Sequence, residues 1–208
     1  KSAHSTPKCC SSRIVFSRRL MAGVSDRAAF EASLLSELRR TIRSEIERKL
    51  FSGTGSTNQP QGLYNVPGRG TQSFSAALPT FPELISMLKT LANANGNIDQ
   101  AAFLINTSDW ADLLTSTINT EGTATVIDFS GGTYRIGGVR VFLSTAATQG
   151  KVCLAQMDRV NLVNYGPPQL IVDAYSSGKS TFGSTELIVQ NYLDLIVTDP
   201  AALVVGGS

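Results

Sequence analysis

From Ser25 to about Phe51 apolar residues recur every four positions, at Phe30, Leu34, Leu38, Ile42, Ile46 and Leu50, with Leu35 beside them and polar residues between. That spacing predicts a helix. Four residues turn through about 400°, so the stripe drifts by about 40° per step and winds around the helix. At about 1.5 Å per residue the helix runs to about 40 Å, longer than the core of one domain needs, and is expected to act as a spine lying against different neighbours at its two ends. Ser25 reads as the N-cap. Asp26 and Glu31 sit toward the positive end of the helix dipole, and Arg48 and Lys49 toward the negative end.

The next stretch, "LFSGTGSTNQPQGL" at residues 50–63, is glycine-rich. Phosphate loops place glycines after a strand and before a helix, where free amides face the anion. Here the glycines follow a helix, so Gly53 reads as a left-handed C-cap, and Gly55, Pro60 and Gly62, with Asn58, supply turn chemistry. A second helix opens at the capping box Thr80-Phe81-Pro82-Glu83, buries Leu84, Ile85, Leu88, Leu91 and Ala92, and stops near Asn95-Gly96. "AAFLIN" reads as a buried strand. "TSDWADLLTS" reads as a short helix capped by Thr107 or Ser108, with Trp110, Leu113 and Leu114 inward.

The remainder is strand-like. "FSGGTYRIGGVRVFLST" alternates at Tyr134, Ile136, Val139, Val141 and Leu143 and predicts a glycine-turned hairpin. "KVCLAQM" and "NLVNYG" continue the pattern. "QLIVDAYSS" and "GSTELIVQNYLDLIVTD" predict two long antiparallel strands around Gly178, and "AALVV" a last strand after Pro200.

Composition adds mainly exclusions. Charged residues are 16% of 208 and the formal net charge is +2, too little field to announce an acidic or nucleic-acid partner. No stretch approaches the roughly 20 apolar residues of a membrane span, so the chain reads as soluble. It starts at Lys1 and reads as a fragment or processed product, with residues 1–24 a basic, flexible or neighbour-contacting arm. Cys9, Cys10 and Cys153 imply no disulfide framework, and Cys9, Cys10 and His4 fall short of the four ligands of a structural zinc site. His4 is the only histidine, so Ser-His-Asp and Cys-His arrangements lack an ordered base. Asp109 and Asp112 flank Trp110, where Asp109 reads as a first-turn carboxylate. No catalytic residue, metal site or cofactor is expected. "SSGKST" at 176–181 has Asp173 where a phosphate loop needs glycine, and lacks a following helix.

The ordered set of an overlong helix ending in "LFSGTGSTNQPQGL", then "FLINTSDWADLL", "YRIGGVRVFLST" and closing strands ending "VTDPAALVV" resembles the major capsid protein of tailed bacteriophages, whose fold is named after phage Hong Kong 97. The likeness spans about Ile14 to Val205. In that family a Gly-x-Gly, Gln-Pro-x-Gly-Leu passage follows the spine helix, matched here by Gly53, Gly55, Gln59, Pro60, Gly62 and Leu63. The resemblance implies an α+β fold: a peripheral domain at 25–79 with return strands at 166–199, an axial domain at 80–165 with a central sheet flanked by helices, and a last strand at 200–208 rejoining it.

It further implies a structural protein of the virion, not an enzyme, that assembles in the bacterial host cytoplasm. Its copies would form pentamers and hexamers of an icosahedral shell around double-stranded DNA held without sequence specificity. Portal, scaffold and maturation protease are the other partners implied, and Phe30, Leu34, Leu38, Ile42 and Ile46 are the expected subunit contacts. The scaffolding segment, extended arm and most of the projecting loop are expected to be absent or shortened. Some relatives join subunits by a Lys-Asn isopeptide bond, but no matched lysine is seen, so that chemistry is not carried over. An encapsulin-type nanocompartment wall is the alternative with the same fold. A nucleotide-binding enzyme using residues 176–181 is the alternative of another class.

Overall fold

The computed structural model describes residues 5–17, 19, 23, 26–56, 58–118, 124–173 and 183–207. Within these, three helices and eleven strands build two sheets. The first is antiparallel and centred on β10 (Ser184–Val197), a run rich in β-branched and other apolar residues. Along one side of β10 lies β1 (Lys8–Ser17), paired over all ten residues from Lys8 opposite Leu193 to Ser17 opposite Ser184. The other side is shared by β8 (Val160–Asn164), opposite the end of β10, and β9 (Gln169–Asp173), opposite Glu186 to Gln190. Residues 8–17 are therefore an integral strand, not a flexible arm. The alternating burial of β1 follows from one face meeting a helix.

That helix is α1 (Arg27–Ser52). Its N-cap is Asp26, whose side chain accepts from the Ala29 N–H; Ser25 lies outside the described residues. Because Ile14 stands opposite Leu187 in the β1–β10 ladder, these two and Val189 share one face, and α1 lays Leu38, Ile42 and Ile46 onto it.

The second sheet runs in the order β2 (Gly70–Ser73), β11 (Leu203–Gly207), β7 (Lys151–Gln156), β3 (Ala101–Ile105), β6 (Val139–Leu143), β5 (Thr133–Ile136) and β4 (Asp128–Ser130). β2–β11 and β3–β6 are parallel, and the other pairs antiparallel. One face is covered by α2 (Phe81–Asn93) and α3 (Thr107–Thr115), enclosing Leu84, Met87, Leu91, Phe103, Ile105, Leu113, Ile136 and Leu154. The opposite face is covered only in part: Phe51, Leu63, Tyr64 and Val66 pack on Cys153, Ala155, Leu203 and Val205. Leu195 of β10 joins this cluster, so the C-terminal end of α1 sits where the two sheets meet. The spine thus has different neighbours along its length.

Local chemistry explains the ends of α2. Glu83 accepts from the Thr80 N–H at 2.7 Å and the Thr80 hydroxyl at 2.8 Å with one oxygen, and from the Ser75 N–H at 2.7 Å with the other. Burial works against this carboxylate, but those donors hold its pKa down to about 2. The helix closes at Asn95, in the left-handed region at φ 59°, with the Gly96 N–H donating to the Leu91 carbonyl. Met87, absent from the predicted face, is fully buried, whereas Ala92 is exposed.

Four details differ from the sequence-based expectation. α3 is capped by Asn106, not Thr107 or Ser108. Asn106 accepts from the Ser108 N–H at 2.8 Å and donates to the Ala147 carbonyl at 2.6 Å, a second bond that a hydroxyl there would have to share. The glycine-rich hairpin is a three-stranded meander, β4–β5–β6, with two double-glycine turns. β8 pairs in the first sheet although the expected boundary lay at 165, and β2 pairs in the second although it precedes residue 80.

Candidate assembly surface

The spine stripe divides into three zones. Phe30 and Leu34 are half-buried; Leu38 and Ile42 are 0% and 6% exposed; Ile46 is half-buried beside them, and Leu50 and the buried Phe51 belong to the junction of the two sheets. Three of the five expected contact residues, Leu38, Ile42 and, in part, Ile46, therefore pack on the chain's own strands. The winding that removes the stripe from one core carries it onto the next. Along α1, Glu45 receives Arg48 through both oxygens, at 2.7 and 3.0 Å, with Lys49 at 3.7 Å; Glu37 and Arg40 pair at 2.7 Å. The Arg48 guanidinium holds the Glu45 carboxyl below the usual carboxylate range against the opposing effect of burial. Solvent screening leaves pairs such as Glu37–Arg40 little weight in the stability of the helix.

Beneath the same turn of α1, Cys10 is fully buried and stands opposite Asn191 in the ladder. Burial raises its thiol pKa while the Lys49 ammonium pulls it down. Cys153, enclosed in the second sheet, is pushed up to about 12 by burial, so it is an inert core residue. Among the described residues no group of three His, Cys, Asp or Glu could hold a metal ion, and His4 lies outside them. No helix of the described residues is long and apolar enough to cross a membrane.

The glycine-rich loop is a closed clasp. Gly53 N–H donates to the Lys49 carbonyl at 2.8 Å, Gly62 N–H to the Gly53 carbonyl at 2.9 Å, and Gly55 N–H to the Pro60 carbonyl at 3.3 Å. Asn65 then donates to the Ser52 and Gly53 carbonyls, capping α1 from outside. The Gly53 backbone has φ −55° and ψ 139°, so it is not a left-handed cap. Its reason for being glycine is proximity: a Cβ there would lie 2.2 Å from the Pro60 carbonyl oxygen, and one on Gly62 2.5 Å from the Phe51 carbonyl oxygen. Gly55, at φ 72°, is the left-handed residue of the loop.

Asp109 lies in the first turn of α3, as expected, and has a further role. It is 3% exposed and accepts from the Gly150 N–H at 2.8 Å, pinning the loop before β7 to α3. Burial raises its pKa, with the Gly150 N–H opposing. On the other side of that loop the Tyr64 hydroxyl accepts from the Thr148 N–H, and burial pushes the Tyr64 pKa up. Asp109 thus ties loop to helix, and nothing in its setting presents it to a substrate.

Among the described residues, several large apolar side chains are left open. In β9, Leu170, Ile171 and Val172 are 47%, 40% and 61% exposed, and Leu162 of the adjoining β8 is 53% exposed. On the half-covered face of the second sheet Phe142 is 48% exposed, with Leu104 opposite it in the ladder, and Phe129 projects from β4. The length of the closing strands exceeds what a compact β-domain needs, but which of their residues stay exposed is set by where β10 and α1 lie. Residues 174–182, including Lys179 and the rest of "SSGKST", lie outside the described residues. They are followed by β10, a strand, where a phosphate loop requires a helix N-terminus.

Comparison with known proteins gives this surface its context. The phage capsid family matches residues 12–207. The chain belongs to the phage capsid family. Among solved structures it is similar to the capsid of an empty GTA particle, with 13% identity over 97% of this chain and 73% of that one, and a TM-score of 0.71. It is similar in the same way to Gordonia phage Cozz, with 15% identity, 97% and 70% covered and a TM-score of 0.71. The SrpI encapsulin complex from Synechococcus elongatus PCC 7942 shows 18% identity, 97% and 73% coverage and a TM-score of 0.62. A comparison with curated proteins finds no match. At these identities the structural likeness is one of fold, and that fold is the Hong Kong 97-type capsid fold, α+β with a spine helix and two sheets.

Proposed function

We propose that this phage capsid family chain is the major shell subunit of a tailed-phage or prophage head. Its copies assemble into pentamers and hexamers that enclose double-stranded DNA. The observation that carries the reading is the family match over 12–207, nearly the whole chain, joined to a fold shared with capsids. The exposed apolar residues of β9, β8, β6 and β4 support it, since such surface on a subunit marks contact with other molecules. Each contact would fall in the class of about 1,200 to 2,000 Å² or above, so a shell is held by many modest interfaces.

In this reading the first sheet with α1 is the peripheral domain and the second sheet with α2 and α3 the axial domain. Residues 70–73 then move to the axial domain and 160–164 to the peripheral one. Phe30 and Leu34, half-buried beyond the sheet, are the part of the spine stripe left for a neighbouring subunit. The role is structural rather than enzymatic, in the virion after assembly in the bacterial cytoplasm, with portal, scaffold and maturation protease as further partners. A net charge of +2 suits a wall that does not grip its genome.

The likeness to the SrpI encapsulin complex favours a second reading, a nanocompartment wall. The contents of nuclease-washed particles distinguish the two. A head shell yields protected double-stranded DNA, and an enzyme cargo in place of DNA would overturn the phage reading.

A further inference from the structure

Among the described residues, β9 is an edge strand with little of the usual protection. One of its edges is hydrogen-bonded to β10, and among the described residues no strand pairs with the other. Its register against β10 is continuous from Gln169 to Asp173, with no bulge, and the segment contains no proline or lysine. Bulges, prolines and lysines are among the devices that ordinarily keep sheet edges apart. Leu170 and Val172 project from one face and Ile171 from the other, all exposed.

We propose that the edge is covered by the same edge of a second copy, the two β9 strands pairing antiparallel across a twofold axis at Ile171. The sequence Gln169-Leu170-Ile171-Val172-Asp173 is complementary to itself in that arrangement. Ile171 faces its own counterpart. Leu170 stands opposite the other copy's Val172, which closes the apolar face. Gln169 stands opposite the other copy's Asp173, so a carboxamide N–H donates to a carboxylate at each end. A parallel, in-register pair would set Asp173 beside Asp173, and an antiparallel slip of two residues would set it against Ile171; both are disfavoured.

Five residues a side bury far less than the roughly 1,200 Å² of a stable complex. The contact therefore belongs between subunits already held in a shell, and the inference rests on the shell reading above. It is an isologous contact, the same patch on both partners, joining one ring of subunits to the next.

Cysteine cross-linking in the full-length protein tests the register. Facing Cα atoms in an antiparallel pair are about 4.5 to 5.5 Å apart, inside the disulfide range of about 4.4 to 6.8 Å. In a Cys9→Ser background, which removes the half-exposed native thiol, particles of Ile171→Cys treated with diamide are expected to give a dimer band on a non-reducing gel. Leu170→Cys alone and Val172→Cys alone are expected to give none, because each faces the other's position. Particles co-assembled from the two are expected to cross-link, and this mixture reads the same register should Ile171→Cys fold poorly. Particles that form but show no dimer from either arm overturn the β9 pairing and leave the shell reading standing, as do equal dimer bands from all three single variants. Failure of the unsubstituted protein to form particles overturns the shell reading, and the pairing with it.

Discussion

Leu38→Ala asks whether α1 is seated on the chain's own sheet. Leu38 is fully buried among Ile42, Val189, Ile14, Ile46 and Leu187. Truncating a fully buried leucine costs about 2 to 5 kcal/mol, with the larger values where the cavity cannot close. Here only three residues of the cluster are fully enclosed and three are half-buried, so the site can relax in part, and the expected loss is about 3 kcal/mol. For a chain of this length each kcal/mol lowers Tm by about 2 to 4 °C, so the expected shift is about 6 to 12 °C. Leu34→Ala, one turn earlier and outside the cluster, is the matched control, expected to cost about 1 kcal/mol or less. Urea denaturation with an unchanged m-value, together with calorimetry, measures both. If Leu38→Ala costs under 1 kcal/mol, or no more than Leu34→Ala, the helix is not held by β1 and β10, and the division of the stripe is wrong.

Three further outcomes follow from local geometry. Gly62→Ala is expected to destabilise the protein more than Gly55→Ala. The first pushes a Cβ into backbone atoms at about 2.5 Å, whereas the second meets only the cost of a left-handed alanine, about 1 to 2 kcal/mol; thermal melts of the pair check the order. Glu83→Ala is expected to cost about 1 kcal/mol through the lost capping box. Because the folded pKa of Glu83 is depressed to about 2, that contribution is present above the ordinary carboxylate range and lost as pH falls toward 2, so the gap between wild type and variant should close in acid. Asp109→Ala should cost about 1 to 3 kcal/mol by orphaning the Gly150 N–H, and Asp109→Asn, which keeps an acceptor, less. Since the Asp109 pKa is raised, its own contribution is greatest below the ordinary carboxylate range and is lost as pH rises through the folded value, so wild type should gain on Asp109→Asn on acidification.

How far these features are legible in the sequence depends on how local their causes are. The spacing of four in α1, the capping box at Thr80 and Glu83, and the period-two runs of β6 and β10 each lie within a few residues of one another, and each gives its element directly. Sheet membership does not. β8 and β2 look like their sequence neighbours, but their partners, β10 and β11, are set by pairings across 29 residues or more. Gly53 shows the same limit: the composition of the loop says that it turns, whereas the reason for this glycine is the Pro60 carbonyl, whose oxygen the closed clasp brings to 2.2 Å from where a Cβ would stand. Asp109 is similar, since its partner Gly150 lies 41 residues on. Residue by residue, the candidate surface was named only at the helix. Its stripe could be seen to exceed one core, but which of Phe30 to Ile46 remained open depended on where β1 and β10 lay.

The central claim is that this chain is a shell subunit whose open apolar surface is closed by copies of itself. Electron microscopy of the full-length protein after expression tests it most directly. Closed, uniform particles with five- and sixfold clusters of subunits are the predicted result, and a folded monomer that stays monomeric at high concentration would contradict it.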